Sequence, residues 1–245
     1  MDLFSALENK NLPFKLPDTD AINVEWDDKK RGHLITLPHG HLFYSQSFFE
    51  KNLSDKFLNY FLENNNDIDL INSLNRSIDL NQLNFKNIKW KQDEIKMYGK
   101  VIPLPRLTSW YGDKGKSYSY SGINSEPNEW NNGLLQIKNE LEKISQAKFN
   151  SVLLNLYRNG EDYLNWHADD EPELGINPTI GSVNFGAERD FALKSNDEKL
   201  QFKIPLTHGS VLIMSGDLQH FWKHSVPKRK KVEDIRINLT FRFIN

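Results

Sequence analysis

The chain has 245 residues, 38% of them hydrophobic, and a formal net charge of −2. This length suffices for one full core, and the near-neutral charge excludes a global positive field, so any nucleic-acid binding must rest on a local basic patch. The chain has no cysteine, which excludes disulfides, thiolate metal sites and cysteine nucleophiles. Because no stretch approaches the roughly 18 apolar residues of a membrane span, we expect a soluble intracellular protein without membrane contact.

The N-terminal residues 1–45 show little periodicity and carry three prolines. We therefore expect them to be an extension that lies over the body of the protein, and we assign 46–245 to a single domain. The Asn-rich segment 64–87 indicates a surface insertion with at most short helical turns.

Helix is predicted in two segments that precede Lys148. Ser47 and Glu50 form a capping-box pattern ahead of an apolar stripe, which predicts one or two helices within 47–63. After Pro127 a second apolar stripe predicts a helix that ends near Gln146; its members are Leu134, Ile137, Leu141 and Ile144.

After Lys148 the pattern changes to short strands separated by turn signals such as Asn159-Gly160 and Ser215-Gly216. The predicted strands are 149–157, 163–168, 179–185, 189–194, 200–206, 210–214, 220–225 and 234–244. So many short strands indicate a sandwich or barrel. We therefore predict a mainly β, α+β protein whose core, 149–244, is a double-stranded β-helix (jelly roll) backed by helices.

A candidate metal site begins with His167 and Asp169. On an extended backbone, side chains at i and i+2 point the same way and can bind one ion, although such a pair is about as often accidental. His220 and His224 are both candidates for a third ligand, because both fall on one face of a predicted strand. Two imidazoles and one carboxylate form the facial triad of non-haem Fe(II) oxygenases, and catalytic zinc is the competing chemistry.

The last predicted strand alternates strictly between polar and apolar residues. Its polar face either lies in water or lines a cavity, where two arginines need anionic partners such as a dicarboxylate; it consists of Arg236, Asn238, Thr240 and Arg242. Asn155 and Tyr157 share a face of another predicted strand. They either add hydrogen bonds to the same anion or lie at a sheet rim.

In this order, His167-x-Asp169, His224 at the start of His-Ser-Val-Pro, and Arg236-x-Asn-x-Thr-x-Arg242 resemble motifs of the AlkB family of Fe(II)- and 2-oxoglutarate-dependent dioxygenases. The similarity runs from about Gly99 to Phe243 and is closest to the animal-type branch that repairs alkylated DNA. It implies that His167, Asp169 and His224 hold Fe(II), since the family's distal ligand is the histidine followed by Ser and Pro. It further implies a 2-oxoglutarate site made of Asn155, Tyr157, Arg236, Thr240 and Arg242.

The resemblance implies O₂-dependent demethylation of 1-methyladenine or 3-methylcytosine in DNA by base flipping, which releases formaldehyde, succinate and CO₂. Methylated RNA or a protein side chain is the alternative substrate, and a non-catalytic module that binds a small anion is the remaining alternative. We expect a monomer, nuclear if the source is eukaryotic.

Residues 90–122 resemble the family's nucleotide-recognition region. Here Tyr118 and Tyr120 are expected to flank the base, and Met97-Tyr98-Gly99 stands where relatives specific for double strands carry a hairpin finger. Asp170 is either a contact to the exocyclic amine of the base or a solvated loop charge. The expected phosphate contacts are Lys96, Lys100, Arg106 and the run Lys228-Arg229-Lys230-Lys231, which is otherwise a solvated turn.

Overall fold

The computed structural model describes residues 11–66, 68–70, 80, 83–97, 100–115, 118–120, 123–197 and 199–245. Within these ranges the strands are β1 (Asn23–Asp27), β2 (Gly32–Leu37), β3 (Gly40–Ser45), β4 (Glu94–Met97), β5 (Lys100–Pro103), β6 (Leu107–Gly112), β7 (Tyr118–Tyr120), β8 (Ile123–Ser125), β9 (Ser151–Tyr157), β10 (Leu164–His167), β11 (Ile180–Gly186), β12 (Arg189–Ser195), β13 (Gln201–Leu206), β14 (Val211–Ser215), β15 (Trp222–Val226) and β16 (Arg236–Arg242). The α-helices are α1 (Lys51–Leu62), α2 (Asn132–Ser145) and α3 (Leu218–Phe221). None of the helices in these ranges has the length and apolar character needed to cross a membrane.

Two antiparallel sheets form the core. The major sheet has eight strands in the order β1-β2-β3-β14-β11-β16-β9-β6, and the minor sheet has four in the order β10-β15-β12-β13. One apolar cluster joins the major sheet to α1 and α2, and a second joins the major sheet to the minor one. The predicted jelly-roll architecture backed by helices is confirmed.

The alternation of β16 places its two faces in different layers. Ile237, Leu239 and Phe241 are fully buried in the cluster beneath the helices. Arg236 and Arg242 are buried on the opposite face, between the two sheets. The polar face therefore lines the interior and does not lie in water, and the strand ends at Arg242, before Phe243.

Residues 23–45 do not lie over the body as expected. They form β1, β2 and β3, and β3 pairs with β14 from Val211↔Ser45 to Ser215↔His41. The sequence did not indicate β3 because five of its six residues are buried, so that neither face carries a regular series of polar side chains.

Both predicted helices are present, but the start of α1 is not capped as predicted. The N-cap of α1 is Glu50, which makes no side-chain cap hydrogen bond, so the capping box with Ser47 is wrong. At the start of α2 the side chain of Asn131 accepts a hydrogen bond from the backbone N–H of Leu134 at 3.0 Å. The same helix ends where Gln146 adopts a left-handed φ of +57°.

The Asn-rich segment 64–87 is only partly described, because 67, 71–79 and 81–82 lie outside the described residues. Its two ends pair through a bridge between Asn64 and Phe85. Leu70 and Leu80 are buried in the cluster beneath the helices. The described part thus contributes to the core, unlike the surface insertion that the sequence predicted.

The predicted strand 220–225 begins instead at Trp222, because 218–221 form the single turn of α3. His220 therefore does not share a strand face with His224. Its Nε2 atom lies against the carbonyl oxygen of Ile176.

Candidate active site

Three potential metal ligands meet between the two sheets. His167 ends β10 and is paired in register with His224 of β15, while Asp169 lies two residues beyond β10. One ligand atom from each residue lies within 4.8 Å of the others. The structure thus brings together the three residues that the resemblance implied, and His220 lies outside the cluster.

The ionisation of the cluster suits a divalent metal. Burial would raise the pKa of Asp169, but Arg242, His224 and His167 lower it to about 2, so that the carboxylate is charged. Burial, with a contribution from His167, lowers the pKa of His224 to about 3, so its imidazole is neutral at pH 7. The charged carboxylate and the neutral His224 are ligand forms that Fe(II) accepts in a facial triad.

The tautomer of His167 follows from its neighbour. Its Nδ1 atom lies 2.8 Å from the carbonyl oxygen of Asn165. A carbonyl oxygen only accepts hydrogen bonds, so Nδ1 carries the proton and Nε2 keeps its lone pair for a metal.

A cavity adjoins the cluster and has the properties of an anion site. All five predicted 2-oxoglutarate residues line it, namely Asn155, Tyr157, Arg236, Thr240 and Arg242. The Arg236 side chain donates from Nη2 to Asn184 at 2.6 Å. Its Nε and Nη1 atoms are buried and have no hydrogen-bond partner among the described residues.

Arg236 fits a carboxylate ligand. Burial lowers the pKa of Arg236 to about 10, so the group is still a cation at pH 7. A buried guanidinium with two unsatisfied N–H groups needs an anion that accepts both, and a carboxylate does so in the bidentate geometry. The residues present therefore fit both Fe(II) and a dicarboxylate cosubstrate.

Arg242 differs from Arg236 although both lie on one face of β16. Its Nη2 atom lies 2.5 Å from Oδ1 of Asp169, in a buried ion pair. Six residues of strand place the two Cα atoms about 20 Å apart, so their guanidinium groups reach the cavity from different ends. Arg242 lies at the metal end and Arg236 at the other.

The expected phosphate contact of Arg106 is wrong. The side chain is 2% exposed, lines the cavity and donates from Nε to Asn155 at 2.8 Å. Its position just before β6, which pairs with β9, turns it inward. In the exposed basic run, Lys228 lies 3.2 Å from Glu161 and Arg229 lies 3.1 Å from Glu188.

The remaining expected substrate residues lie outside the cavity or are incompletely described. Asp170 is exposed whereas Asp169 is buried, which agrees with opposite orientations. Met97 pairs with Lys100 in the β4–β5 hairpin, while Tyr98 and Gly99 lie outside the described residues. Of Tyr118, Tyr120, Met97, Lys96 and Lys100 only the backbone is described, and their predicted roles stay predictions.

Arg189 is a buried residue that the sequence reading missed. It is fully buried, and its guanidinium lies 5.6 Å from the ring centroid of Tyr157, with that of Arg236 at 4.9 Å from the same ring. It also donates to the carbonyl oxygens of Asp162 and Pro227. Arg189, Phe191 and Leu193 are spaced two residues apart and therefore share one face of the strand. The signal in the sequence for a buried Arg189 was that it shares this face with two apolar residues.

The fold and the site define an oxygenase of the Fe(II) and 2-oxoglutarate class, and comparison with known proteins agrees. The family model of the 2OG-Fe(II) oxygenase superfamily matches residues 56–242, and the chain belongs to this superfamily. Membership implies Fe(II), 2-oxoglutarate and O₂ as cofactor and cosubstrates.

Individual relatives narrow the similarity to AlkB homologues. Alpha-ketoglutarate-dependent dioxygenase alkB homolog 3 of Bos taurus is 43% identical over 169 residues, covering 65% of this chain and 58% of the relative. DNA oxidative demethylase ALKBH2 of Homo sapiens is 39% identical over 158 residues, covering 61% of this chain and 60% of the relative. The alignments cover less than two thirds of the length of these relatives. The identities confirm the resemblance to the AlkB family.

A solved structure supports the fold alone. The structure of OsALKBH1 superposes with a TM-score of 0.52 at 16% identity, covering 82% of this chain and 96% of that chain.

Proposed function

We propose that this chain is an Fe(II)- and 2-oxoglutarate-dependent demethylase of N-alkylated bases in DNA, of the 1-methyladenine and 3-methylcytosine type. The observation that carries the proposal is one buried cavity lined by both the His-Asp-His cluster and Arg236 with its two unsatisfied N–H groups. The substrate class follows from similarity to a relative named DNA oxidative demethylase.

His167, Asp169 and His224 would hold Fe(II), and Asn155, Tyr157, Arg236, Thr240 and Arg242 would hold 2-oxoglutarate. When bound, Fe(II) and 2-oxoglutarate would activate O₂, which is the oxidant: one oxygen atom enters succinate as 2-oxoglutarate loses CO₂, and the other hydroxylates the N-methyl group, which is then lost as formaldehyde. Arg236 binds one carboxylate of the cosubstrate, and Arg242 holds the metal-binding carboxylate of Asp169 in place.

The apolar wall of the cavity excludes water from the reacting groups. It is formed by Leu153, Leu164, Phe191, Met214 and Val226. Phe191 stacks on the imidazole of His224 with ring centroids 5.0 Å apart, which also limits rotation of that ring. A dry, rigid site strengthens the electrostatic interactions on which the positions of the ligands depend.

The substrate base would enter after it has been flipped out of its strand. Asp170, the Met97-Tyr98-Gly99 tip and the two tyrosines at 118 and 120 are the proposed contacts to the substrate. Action as a monomer is also part of the proposal. The nucleus is the proposed location if the source is eukaryotic.

The proposal is tested by mass spectrometry of oligonucleotides that carry one 1-methyladenine or 3-methylcytosine, with formaldehyde measured in parallel. Single-stranded DNA, duplex DNA and RNA are compared with and without Fe(II) and 2-oxoglutarate. We expect demethylation of DNA only when both are present. Turnover confined to RNA would replace the DNA assignment, and 2-oxoglutarate consumption without demethylation of any oligonucleotide would indicate the protein side-chain alternative.

A further inference from the structure

The backbone of Asp169 is held by a side chain and not by a strand. The β10–β15 ladder pairs His167 with His224, and β10 ends there, two residues before Asp169. A buried backbone N–H must find another acceptor. The N–H of Asp169 donates to Oε1 of Gln219 at 2.9 Å.

Gln219 is itself held firmly. It is 3% exposed and lies in α3, the helical turn that joins β14 to β15. Asn196 donates to the carbonyl oxygens of His220 at 2.7 Å and of Phe221 at 2.8 Å. The ring of His39 stacks on Phe221 with centroids 3.7 Å apart. The turn between β2 and β3 and the end of β12 therefore hold α3 in place.

We propose that Gln219 is a positioning residue for the metal ligand Asp169. Asp169 is held by two hydrogen bonds. Gln219 accepts one from its backbone N–H, and Arg242 donates the other to its carboxylate. Without the acceptor on Gln219, the backbone after β10 is free to move, and the ion pair with Arg242 alone does not fix where the second carboxylate oxygen points. The inference rests on the proposed triad.

Three variants separate positioning from general stability. Gln219→Met keeps the length of the side chain and removes the acceptor. Gln219→Glu restores an acceptor oxygen in either protonation state. Ser54→Ala is the matched control, since it removes a buried side-chain hydrogen bond, from Oγ to the carbonyl oxygen of Phe49 at 3.0 Å, in α1 outside the cavity.

The measurement is binding of Co(II) alone, by calorimetry and visible absorption, without cosubstrate or nucleic acid. Loss of a group that orients a metal ligand typically weakens metal binding about 10- to 100-fold. We expect a loss of at least about 10-fold for Gln219→Met, with a changed Co(II) absorption band. We expect Gln219→Glu to stay within about threefold of the unchanged chain, and Ser54→Ala to bind Co(II) normally despite lower stability.

Unchanged Co(II) affinity in Gln219→Met would overturn the inference, and so would an equal loss in Ser54→Ala. If Gln219→Met does not fold, Gln219→Asn is measured instead, because its shorter side chain places the amide oxygen too far from the N–H of Asp169. Undiminished Co(II) affinity in Gln219→Asn would also overturn the inference. Failure of the unchanged chain to bind Co(II) is a separate result, which would remove the triad assignment itself.

Discussion

Two arginines on one face of β16 have different electrostatic partners. Arg242 is paired with the carboxylate of Asp169, whereas two N–H groups of Arg236 have no hydrogen-bond partner in the described part of the chain. A buried cation without an anionic partner destabilises the ligand-free protein, and it gains most when an anion binds. Arg236 therefore couples cosubstrate binding to stability.

We expect Arg236→Met to raise the KM for 2-oxoglutarate at least about 30-fold, because it removes a charge-assisted hydrogen bond worth about 2 kcal/mol or more. The free energy of unfolding of the ligand-free protein should stay within about 1 kcal/mol of its original value or rise. One reason is that Asn184 keeps its hydrogen bond from Asn238. Steady-state kinetics and urea denaturation check both parts.

The control for this change is Arg229→Met, which removes an exposed arginine paired with Glu188. Its KM for 2-oxoglutarate should not change. A KM for Arg236→Met equal to that of the control would contradict the anion site.

Loss of the Asp169 carboxylate should affect stability as well as metal binding. Asp169→Ala takes the carboxylate partner from buried Arg242, which typically costs about 3–5 kcal/mol, so this variant should unfold at lower urea than His167→Ala. Neither should turn over substrate. The double variant Asp169→Ala, Arg242→Met should regain stability without activity, and equal stabilities of the two single variants would argue against the ion pair's role.

At the scale of elements, regular alternation made β9 and β16 predictable, and with them the polar face that lines the cavity. The same signal was missing in β3, which is buried on both faces. A four-residue helix such as α3 spans barely one turn and is too short to show a repeating apolar pattern, so the sequence could not separate His220 from His224. The burial of Arg106 depends on which strand lies beside β6, and spacing along the chain does not contain that information.

The last turn of α2 is held by one carboxylate. Glu142 lies 2.8 Å from Lys138 and 3.0 Å from Lys148, and it accepts a hydrogen bond from the N–H of Phe149 at 2.9 Å. Burial opposes ionisation, but these three groups lower the pKa of Glu142 to about 2. The helix end is thereby fixed to the segment that leads into β9.

Glu142→Gln should therefore destabilise the protein in a pH-dependent way. A carboxylate with a lower pKa in the folded state than its usual unfolded value of about 4.3 stabilises the fold above that value, and the stabilisation is lost as pH falls towards 2. We expect a loss of about 2 kcal/mol at pH 7, reduced because Lys148 is exposed to solvent, and a much smaller difference at pH 3. Urea denaturation at both pH values measures it.

Glu140→Gln is the matched control on the same helix, since Glu140 pairs only with exposed Lys143 among the contacts described for it. It should change stability by less than about 0.5 kcal/mol at either pH. A difference for Glu142→Gln that is the same at pH 7 and pH 3 would exclude ionisation as its cause.

At the scale of the whole molecule, the major sheet extends beyond the segment that the superfamily model matches. That match begins at residue 56, whereas β1, β2 and β3 lie at 23–45 and cover one edge of β14. The covered strand has the sequence Val-Leu-Ile-Met-Ser, which is apolar and uncharged. An exposed edge of this kind pairs readily with other chains.

Removal of residues 1–45 should therefore cause aggregation. A chain that begins at residue 23 keeps all eight strands and should remain a single species in size-exclusion chromatography, although it loses contacts of Phe14 and Ile22 with the core between the sheets. A monodisperse, folded chain that begins at residue 46 would contradict the structural role of these strands.

The position of β16 also bears on the order of folding. This strand is the last of the described strands in the chain, yet it lies inside the major sheet and pairs with both β9 and β11. Its Arg242 contacts Asp169 across a sequence separation of 73 residues, and contacts this distant form slowly. During synthesis β9 and β11 cannot be joined into one sheet until β16 has been made. The iron site should therefore be among the last parts of the protein to form.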